Sequence, residues 1–265
     1  MKLRRYFRDH ALETLRERKM MVSSASVFND PSDCLPIINP PDIEDVRKIV
    51  ERSPEKFAER YTDGNIGKVA DIETLQQIRE VLMKEEGLKD LRSCFDPIFR
   101  ICCFERAGLA DYESERMLWQ RYTHHKGIRI TFDIEPENRI IYWTHPIEYV
   151  EELPRYSLSE FLDTDPEKRR KLFQRITTIK TKKWQYEHEW RFFTIQDYSE
   201  PLHDKKDSTR HLFPFRDVFQ EVIAVDFGLC CPTRDMIRMF RFLKKKIKNI
   251  RISRLEKLLL MLIIG

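Results

Sequence analysis

The sequence predicts an α+β fold, a single domain with a mainly antiparallel sheet, and three observations support this prediction. Helical spacing of apolar residues is concentrated in the N-terminal half and at the C-terminus, whereas short strand-like segments dominate the second half. The chain has 265 residues, enough for one large domain over 1–265 that folds without disulfides or a metal.

The predicted helices follow the 3.6-residue period and begin and end at ordinary capping signals. In the segment Asp42–Tyr61, for example, Val46 and Val50 share one apolar stripe. Glycine is expected at two helix ends, where a left-handed residue is favoured. The predicted helices are His10–Lys19, Asp42–Tyr61, Asp71–Glu86 before Gly87, Glu113–His125 before Gly127, Ser157–Arg175 and Pro232–Lys246.

The predicted strands are short apolar or alternating segments bounded by turn residues. Pro146–Glu151 is expected to pair with the apolar segment before it. The full set is Lys2–Phe7, Met20–Ser26, Phe99–Phe104, Ile128–Asp133, Ile140–Trp143, Pro146–Glu151, Lys182–Thr194 and Glu221–Phe227.

The segment Lys182–Thr194 has the clearest period of two. Its aromatic residues fall on one face, which predicts that Trp184, Tyr186 and Trp190 are buried. Glu187 and Glu189 fall on the other face, either as solvated charges or as a carboxylate pair presented to a cleft. On a solvated face, Glu189→Gln is expected to change stability by no more than about 0.5 kcal/mol.

Composition excludes two common nucleotide sites. The chain has only seven glycines, and none of them forms GxGxxG or GxxxxGK[ST]. Backbone cradles for a diphosphate need clustered glycines, so a Rossmann dinucleotide site and a P-loop are not expected. Any nucleotide is expected to be held by side chains.

Positive charge is concentrated near the C-terminus. Residues 234–257 hold ten basic residues against two acidic ones, a local net charge of +8. This stretch is either a solvated helix face or a surface for nucleic acid or an anionic protein. The apolar run Leu258–Ile264 is too short to span a membrane. With six cysteines and no signal peptide, the sequence predicts a cytoplasmic protein with reduced thiols and no membrane contact.

Two further segments carry candidate binding residues. Asn29 and Asp30, before Pro31, favour an Asx-turn, or alternatively offer an amide and a carboxylate to a ligand. Trp119 and Tyr122 share one face of a predicted helix, and this face either borders a cleft or meets a partner. The following histidine pair lacks companions with ligand spacing, so no metal site is predicted.

The motifs FNDPSDC, MLWQRYTHHKGIRITFD, KWQYEHEWRFF and EVIAVDFG occur in this order. The chain thereby resembles a prokaryotic family of unknown function, whose members read FNDPFD, a W-x-x-Y helix end and YExEWR. The resemblance covers residues 3–228 and leaves the basic helix and tail, 232–265, outside. It implies a cytoplasmic protein, with some relatives associated with phage defence or abortive infection, and no established activity. Ser32 stands where the family usually has Phe.

A second, weaker resemblance is to ADP-ribosyltransferases, which bind NAD without a glycine-rich loop. They carry a basic residue on the first strand, serines on the second and a late ExE, which Arg5, Ser24 and Glu187-His188-Glu189 match. The resemblance implies that Glu189 stabilises the ribosyl cation, Glu187 handles the acceptor, Arg5 contacts a phosphate and Ser24 supports the glutamate.

Three functions therefore stay open. The first is an NAD-using transferase or glycohydrolase with catalytic Glu189 and Glu187, acting as a defence effector. The second is a non-enzymatic binding module of a defence or regulatory system, using the Trp119/Tyr122 face and the basic stretch. The third is a nuclease, which lacks standard ligand spacing. If Arg5, Ser24 and Glu189 converge in one pocket, the first function is favoured over the other two. The candidate substrate-binding residues are Arg5, Ser24, Asn29, Asp30, Trp119, Tyr122 and Arg191.

Overall fold

The computed structural model describes residues 1–30, 32–84, 99–162, 165–195, 200–201, 210–246 and 250–252. They form α-helices and a mainly antiparallel sheet, which confirms the predicted α+β class. The chain divides into two compact units. Unit 1 comprises Met1–Val27, Phe99–Tyr149 and Lys182–Gly265, and unit 2 comprises Phe28–Ile98 and Val150–Thr181. One domain over 1–265 stays a prediction.

Most predicted elements are present with modest shifts at their ends. The α-helices in the described residues are α1 Ala11–Glu17, α2 Ile43–Arg52, α3 Pro54–Tyr61, α4 Ile72–Leu82, α5 Tyr112–Thr123, α6 Leu158–Leu162, α7 Pro166–Thr177 and α8 Thr233–Lys246. The strands are β1 Lys2–Phe7, β2 Lys19–Ser23, β3 Ile37–Ile38, β4 Phe99–Arg106, β5 Ile128–Asp133, β6 Thr144–Pro146, β7 Glu148–Val150, β8 Arg155–Tyr156, β9 Ile179–Thr181, β10 Glu189–Ile195, β11 Glu200–Pro201, β12 Arg210–Pro214, β13 Val222–Phe227 and β14 Arg251–Ile252.

Unit 1 is built on one large sheet. Its strands run in the order β11-β12-β2-β4-β1-β5-β13-β14, and β10 pairs with β4 and with β6. Every neighbouring pair in this sheet is antiparallel except β13 with β14. Two long-range pairings therefore place β1, from the chain's N-terminus, between β4 and β5.

One face of this sheet holds the apolar core of unit 1. Leu3, Ile130, Phe132 and Val225 are buried in it, and α1 and α8 cover it with Leu15 and further apolar side chains. The α8 residues that pack here are Met236, Met239 and Leu243. Apolar burial on this face is the main stabilising term of unit 1.

Unit 2 is a helical unit with two small apolar clusters. Val46 and Val50 of α2 pack with Leu75 and Ile78 of α4 in the first cluster. The second contains Tyr156, Leu172 and Ile176. Strands β3 and β8 pair in parallel within this unit.

Two predicted helices are each interrupted at a proline. Asp42 caps α2 by accepting a hydrogen bond from the Asp45 backbone N–H at 2.7 Å, but the helix ends at Arg52. Pro54 cannot continue it, because proline lacks the N–H and disfavours helical backbone at Ser53, so Pro54 begins α3 instead. Pro166 begins α7 in the same way, so Ser157–Arg175 is not one helix.

The prediction of one strand over Lys182–Thr194 is wrong in its first half. Residues Lys182–Glu187 form a 3-10 helix, His188 adopts a left-handed φ of 42°, and β10 starts at Glu189. Trp184 and Tyr186 therefore lie outside the sheet, and both are only half-buried, as is Trp190 in β10. The two-residue alternation in the sequence corresponds to a strand only after His188.

The segment Ile140–Trp143 also departs from its prediction. It lies within a 3-10 helix, Arg139–Trp143, that Asn138 caps by accepting from the Ile140 N–H at 3.1 Å. The strand β6 follows it and pairs with β10 rather than with the segment before it. Ile140 and Ile141 are partly buried against the core of unit 1, whereas Trp143 is about half exposed.

Helix α5 ends differently from the prediction. His124 and His125 adopt left-handed φ values of 50° and 57°, whereas Gly127 does not. A Cβ at Gly127 would lie 2.1 Å from the Phe7 carbonyl oxygen and 2.8 Å from Thr123 Cβ. Gly127 is therefore required by close packing and not by its backbone angle.

Some predictions lie outside the described residues, namely those on Pro31, on Glu86 and Gly87, and on the tail 253–265. None of the described helices is long and apolar enough to cross a membrane. The described cysteines, Cys34, Cys102, Cys103, Cys230 and Cys231, form no disulfide with one another.

Candidate active site

The second face of the unit 1 sheet carries charged residues. In β1, Leu3 and Phe7 face the core, so Arg4 and Tyr6 point to the opposite side. The pairing of β1 with β5 places two further polar residues beside Arg4 and Tyr6. Thr131 is opposite Arg4, and Arg129 is opposite Tyr6.

A row of charges crosses this face from strand to strand. Glu105 of β4 lies opposite Arg4 on one side and Glu189 of β10 on the other. Asp226 of β13 lies opposite Arg129. Directly opposed residues have Cβ atoms about 4.5–5.5 Å apart, so these side chains interact. We call this set of sheet residues together with Glu115, Trp119, Tyr122, Glu187 and Arg191 the charged layer.

Ion pairs connect the centre of the charged layer. Arg4 lies 3.1 Å from the Glu105 carboxylate and 2.5 Å from that of Glu115. Arg129 lies 3.1 Å from Asp226 and 3.2 Å from Glu115. Except for Glu115, which is about one-third exposed, these side chains are largely shielded from water, so their charges are weakly screened.

Helix α5 covers the charged layer with aromatic rings. Trp119 meets Tyr6 edge-to-face with ring centres 5.2 Å apart, and Tyr122 stacks on the same ring at 6.3 Å. The guanidinium of Arg129 lies 5.4 Å from the Trp119 ring centre. Trp119 and Tyr122 therefore pack on the sheet, and both side chains are half-buried. Their use as a surface for a partner stays a prediction.

Glu187 and Glu189 lie at one side of the charged layer with different partners. The Tyr122 hydroxyl donates to Glu187 at 2.6 Å. Arg191 donates two hydrogen bonds to Glu189, at 2.7 and 3.2 Å. Their exposed fractions are 3% for Glu187, 5% for Glu189 and 0% for Arg191. The expected solvated face is therefore wrong, because α5 and the 3-10 helix cover it.

The charged layer raises the pKa of two of its acidic groups, Glu105 and Tyr122. Burial raises the pKa of Glu105, although Arg4 and the Tyr6 hydrogen bond act in the opposite direction. Burial also raises the pKa of Tyr122 well above its usual value, and Glu187 and Glu189 add to this effect. Tyr122 thus stays protonated and acts as a hydrogen-bond donor.

Arg5 and Ser24 do not join this site, and the expected convergence with Glu189 is wrong. Arg5 alternates with Arg4 and points to the apolar face, where it contacts the Cys102 sulfur and donates to the Met21 carbonyl at 2.9 Å. Burial there lowers its pKa to about 10. Ser24 is buried with its hydroxyl 3.0 Å from that of Ser26.

The Asn29–Asp30 segment belongs to unit 2, whereas Glu189 belongs to unit 1. Asp30 forms the expected Asx-type contact, accepting from the Ser32 backbone N–H at 3.0 Å and from its hydroxyl at 2.6 Å. Nearby, Lys180 pairs with Asp33 at 3.3 Å, and both are buried.

Sequence reasoning missed more than half of the charged layer, namely Arg4, Tyr6, Glu105, Glu115, Arg129, Thr131 and Asp226. The available signal was a charged residue inside an otherwise apolar strand, such as Arg129 or Asp226. A charge buried on a covered sheet face needs a partner of opposite charge, so each such residue predicts that an oppositely charged one lies beside it. Among the described residues, no group of three or more histidine, cysteine or carboxylate side chains could hold a metal ion.

Comparison with family models, with curated proteins and with solved structures finds no match to this chain.

Proposed function

We propose that the protein is an enzyme that cleaves the N-glycosidic bond of NAD, with water or a second molecule as the acceptor of ADP-ribose. The observation that supports this best is the pair of buried carboxylates, Glu187 and Glu189, held by different partners. Two carboxylates in distinct environments are what glycosyl chemistry commonly requires.

In this proposal Glu189 stabilises the reacting sugar. When the bond between C1′ and the nicotinamide nitrogen breaks, its electron pair leaves with nicotinamide and positive charge develops on the ribose. An oriented carboxylate near C1′ lowers the energy of that state. Arg191 holds Glu189 through two hydrogen bonds, so the carboxylate needs little reorientation during the reaction.

Glu187 acts on the acceptor. An acceptor hydroxyl that attacks C1′ must lose its proton, and the Glu187 carboxylate takes it up as a general base. The Tyr122 hydroxyl, 2.6 Å away, orients Glu187 and is kept protonated by its raised pKa. The phosphate-binding role expected for Arg5 is not retained, because Arg5 points to the apolar face.

Nicotinamide release by the purified full-length protein tests this proposal. Glu187→Gln can still accept the Tyr122 hydrogen bond, so the fold is expected to persist while release falls by about 10²–10³-fold. Expression of the wild type, but not of this variant, is expected to slow growth by depleting NAD.

Glu113→Gln is the matched control, because Glu113 lies on the exposed side of α5 and pairs only with Arg116 among the described residues. It should release nicotinamide at the wild-type rate. Absence of NAD cleavage by the wild type, or an unchanged rate in Glu187→Gln, would refute the proposed function.

A further inference from the structure

We infer that the exposed side of α8 binds the sugar–phosphate backbone of nucleic acid. Four basic residues, Arg234, Arg238, Arg241 and Lys245, follow one another at intervals of four, three and four. At 3.6 residues per turn they fall on one side of the helix, and all four are exposed. We call these four residues the basic stripe.

The basic stripe lacks the pairing seen on other helices. Arg170 and Lys171 of α7 pair with Glu167, and Arg116 of α5 pairs with Glu113. Within the part of the chain that the structure describes, no residue of the stripe forms an ion pair. Its cations therefore remain available to an external anion.

The length of the stripe fits a regularly charged polymer. From Arg234 to Lys245 the helix rises by about 16 Å at about 1.5 Å per residue. One DNA strand presents a phosphate about every 3.4 Å along its axis, so the stripe faces about five phosphates. Exposed basic side chains on one side of the helix, three of them arginines, complement that array.

The burial of α8 favours nucleic acid over a membrane. An amphipathic helix binds lipid by inserting its apolar side. In α8 that side, with Met236, Met239 and Leu243, is buried in the core of unit 1. Only the charged side is exposed, and it can bind a phosphate backbone without any change of packing.

The test measures binding of the full-length protein to short labelled duplex DNA and duplex RNA of arbitrary sequence over about 50–200 mM salt. For wild type, affinity should fall steeply with salt on at least one of the two. The triple variant Arg234→Gln, Arg238→Gln, Arg241→Gln should reduce the slope of log K against log salt by about 2–3. Between 50 and 200 mM salt, the affinity of the wild type should therefore fall by a factor about 40 times larger than that of the triple variant.

The matched control removes three exposed cations from α7, as Arg169→Gln, Arg170→Gln and Lys171→Gln, and should keep the wild-type slope. All six residues are exposed, so both variants are expected to fold. An equal change of slope in the two variants would assign the effect to net charge and overturn the inference. So would the absence of wild-type binding, or binding to phosphatidylserine vesicles without binding to nucleic acid.

Discussion

Glu189 is buried in β10, where it accepts two hydrogen bonds from Arg191. The alternating pattern correctly places Glu189 on the same face of β10 as Arg191 and on the other face from Trp190. The pattern does not show that α5 covers this face, since Tyr6, which anchors the α5 rings, is distant in sequence. The expectation of a surface-like site was therefore wrong, and the stability of the chain depends on the ion pair.

Glu189→Gln should lower the free energy of unfolding by about 3–5 kcal/mol, because the fully buried Arg191 stays charged but loses its ion pair with Glu189. Urea denaturation measures this loss. Adding Arg191→Met removes the buried charge and should recover most of it. A loss within about 0.5 kcal/mol would instead show that water reaches the pair.

Glu105 should make stability depend on pH. Burial raises its pKa in the folded state above the unfolded value of 4.5, so the folded protein favours the protonated form. This contribution is present in full below pH 4.5 and is lost as pH rises through the folded pKa. Glu105→Gln removes this contribution. The stability of wild type minus that of the variant should decline from pH 4.5 upward in denaturation at several pH values, whereas a rising difference would contradict the raised pKa.

At the scale of elements, local sequence predicts most helices and strands but not their interruptions. β1 and β5 match their predicted bounds, because the two strands pair with each other along their whole length. The apolar residues keep their helical spacing in the sequence on both sides of Pro54, although proline lacks the N–H that a continuous helix needs. The spacing alone therefore predicts one helix where the structure has two. The left-handed backbone of His188 is not marked by a glycine, so the local sequence gives no signal for the turn before β10.

The end of α5 offers a test at this scale. Gly127→Ala should destabilise the protein by about 1–3 kcal/mol, because the added methyl would overlap the Phe7 carbonyl and Thr123. Thermal unfolding measures the change. Gly67→Ala is the control, because the nearest atom there is the Asn65 side-chain oxygen at 3.3 Å, which can move. Equal effects of the two substitutions would mean that close packing at Gly127 is relieved at little cost.

At the scale of the whole molecule, the sequence predicts the fold class and about half of the charged layer. Glu187, Glu189, Arg191, Trp119 and Tyr122 are predicted from their own motifs. Glu105 and Arg129 are not, because their importance arises from pairing between strands far apart in the chain. The structure also separates Arg5 from Glu189 through simple alternation along β1, although both match short motifs.

The central claim is that the charged layer performs chemistry rather than only stabilising the fold. The most direct measurement is nicotinamide release from NAD by the double variant Glu189→Gln, Arg191→Met, compared with wild type at equal folded fraction by circular dichroism. Removing both charges together preserves the fold but removes the carboxylate beside the sugar. We predict a folded protein whose release is about 10²–10³-fold slower than wild type. A folded double variant with the wild-type rate would contradict the claim.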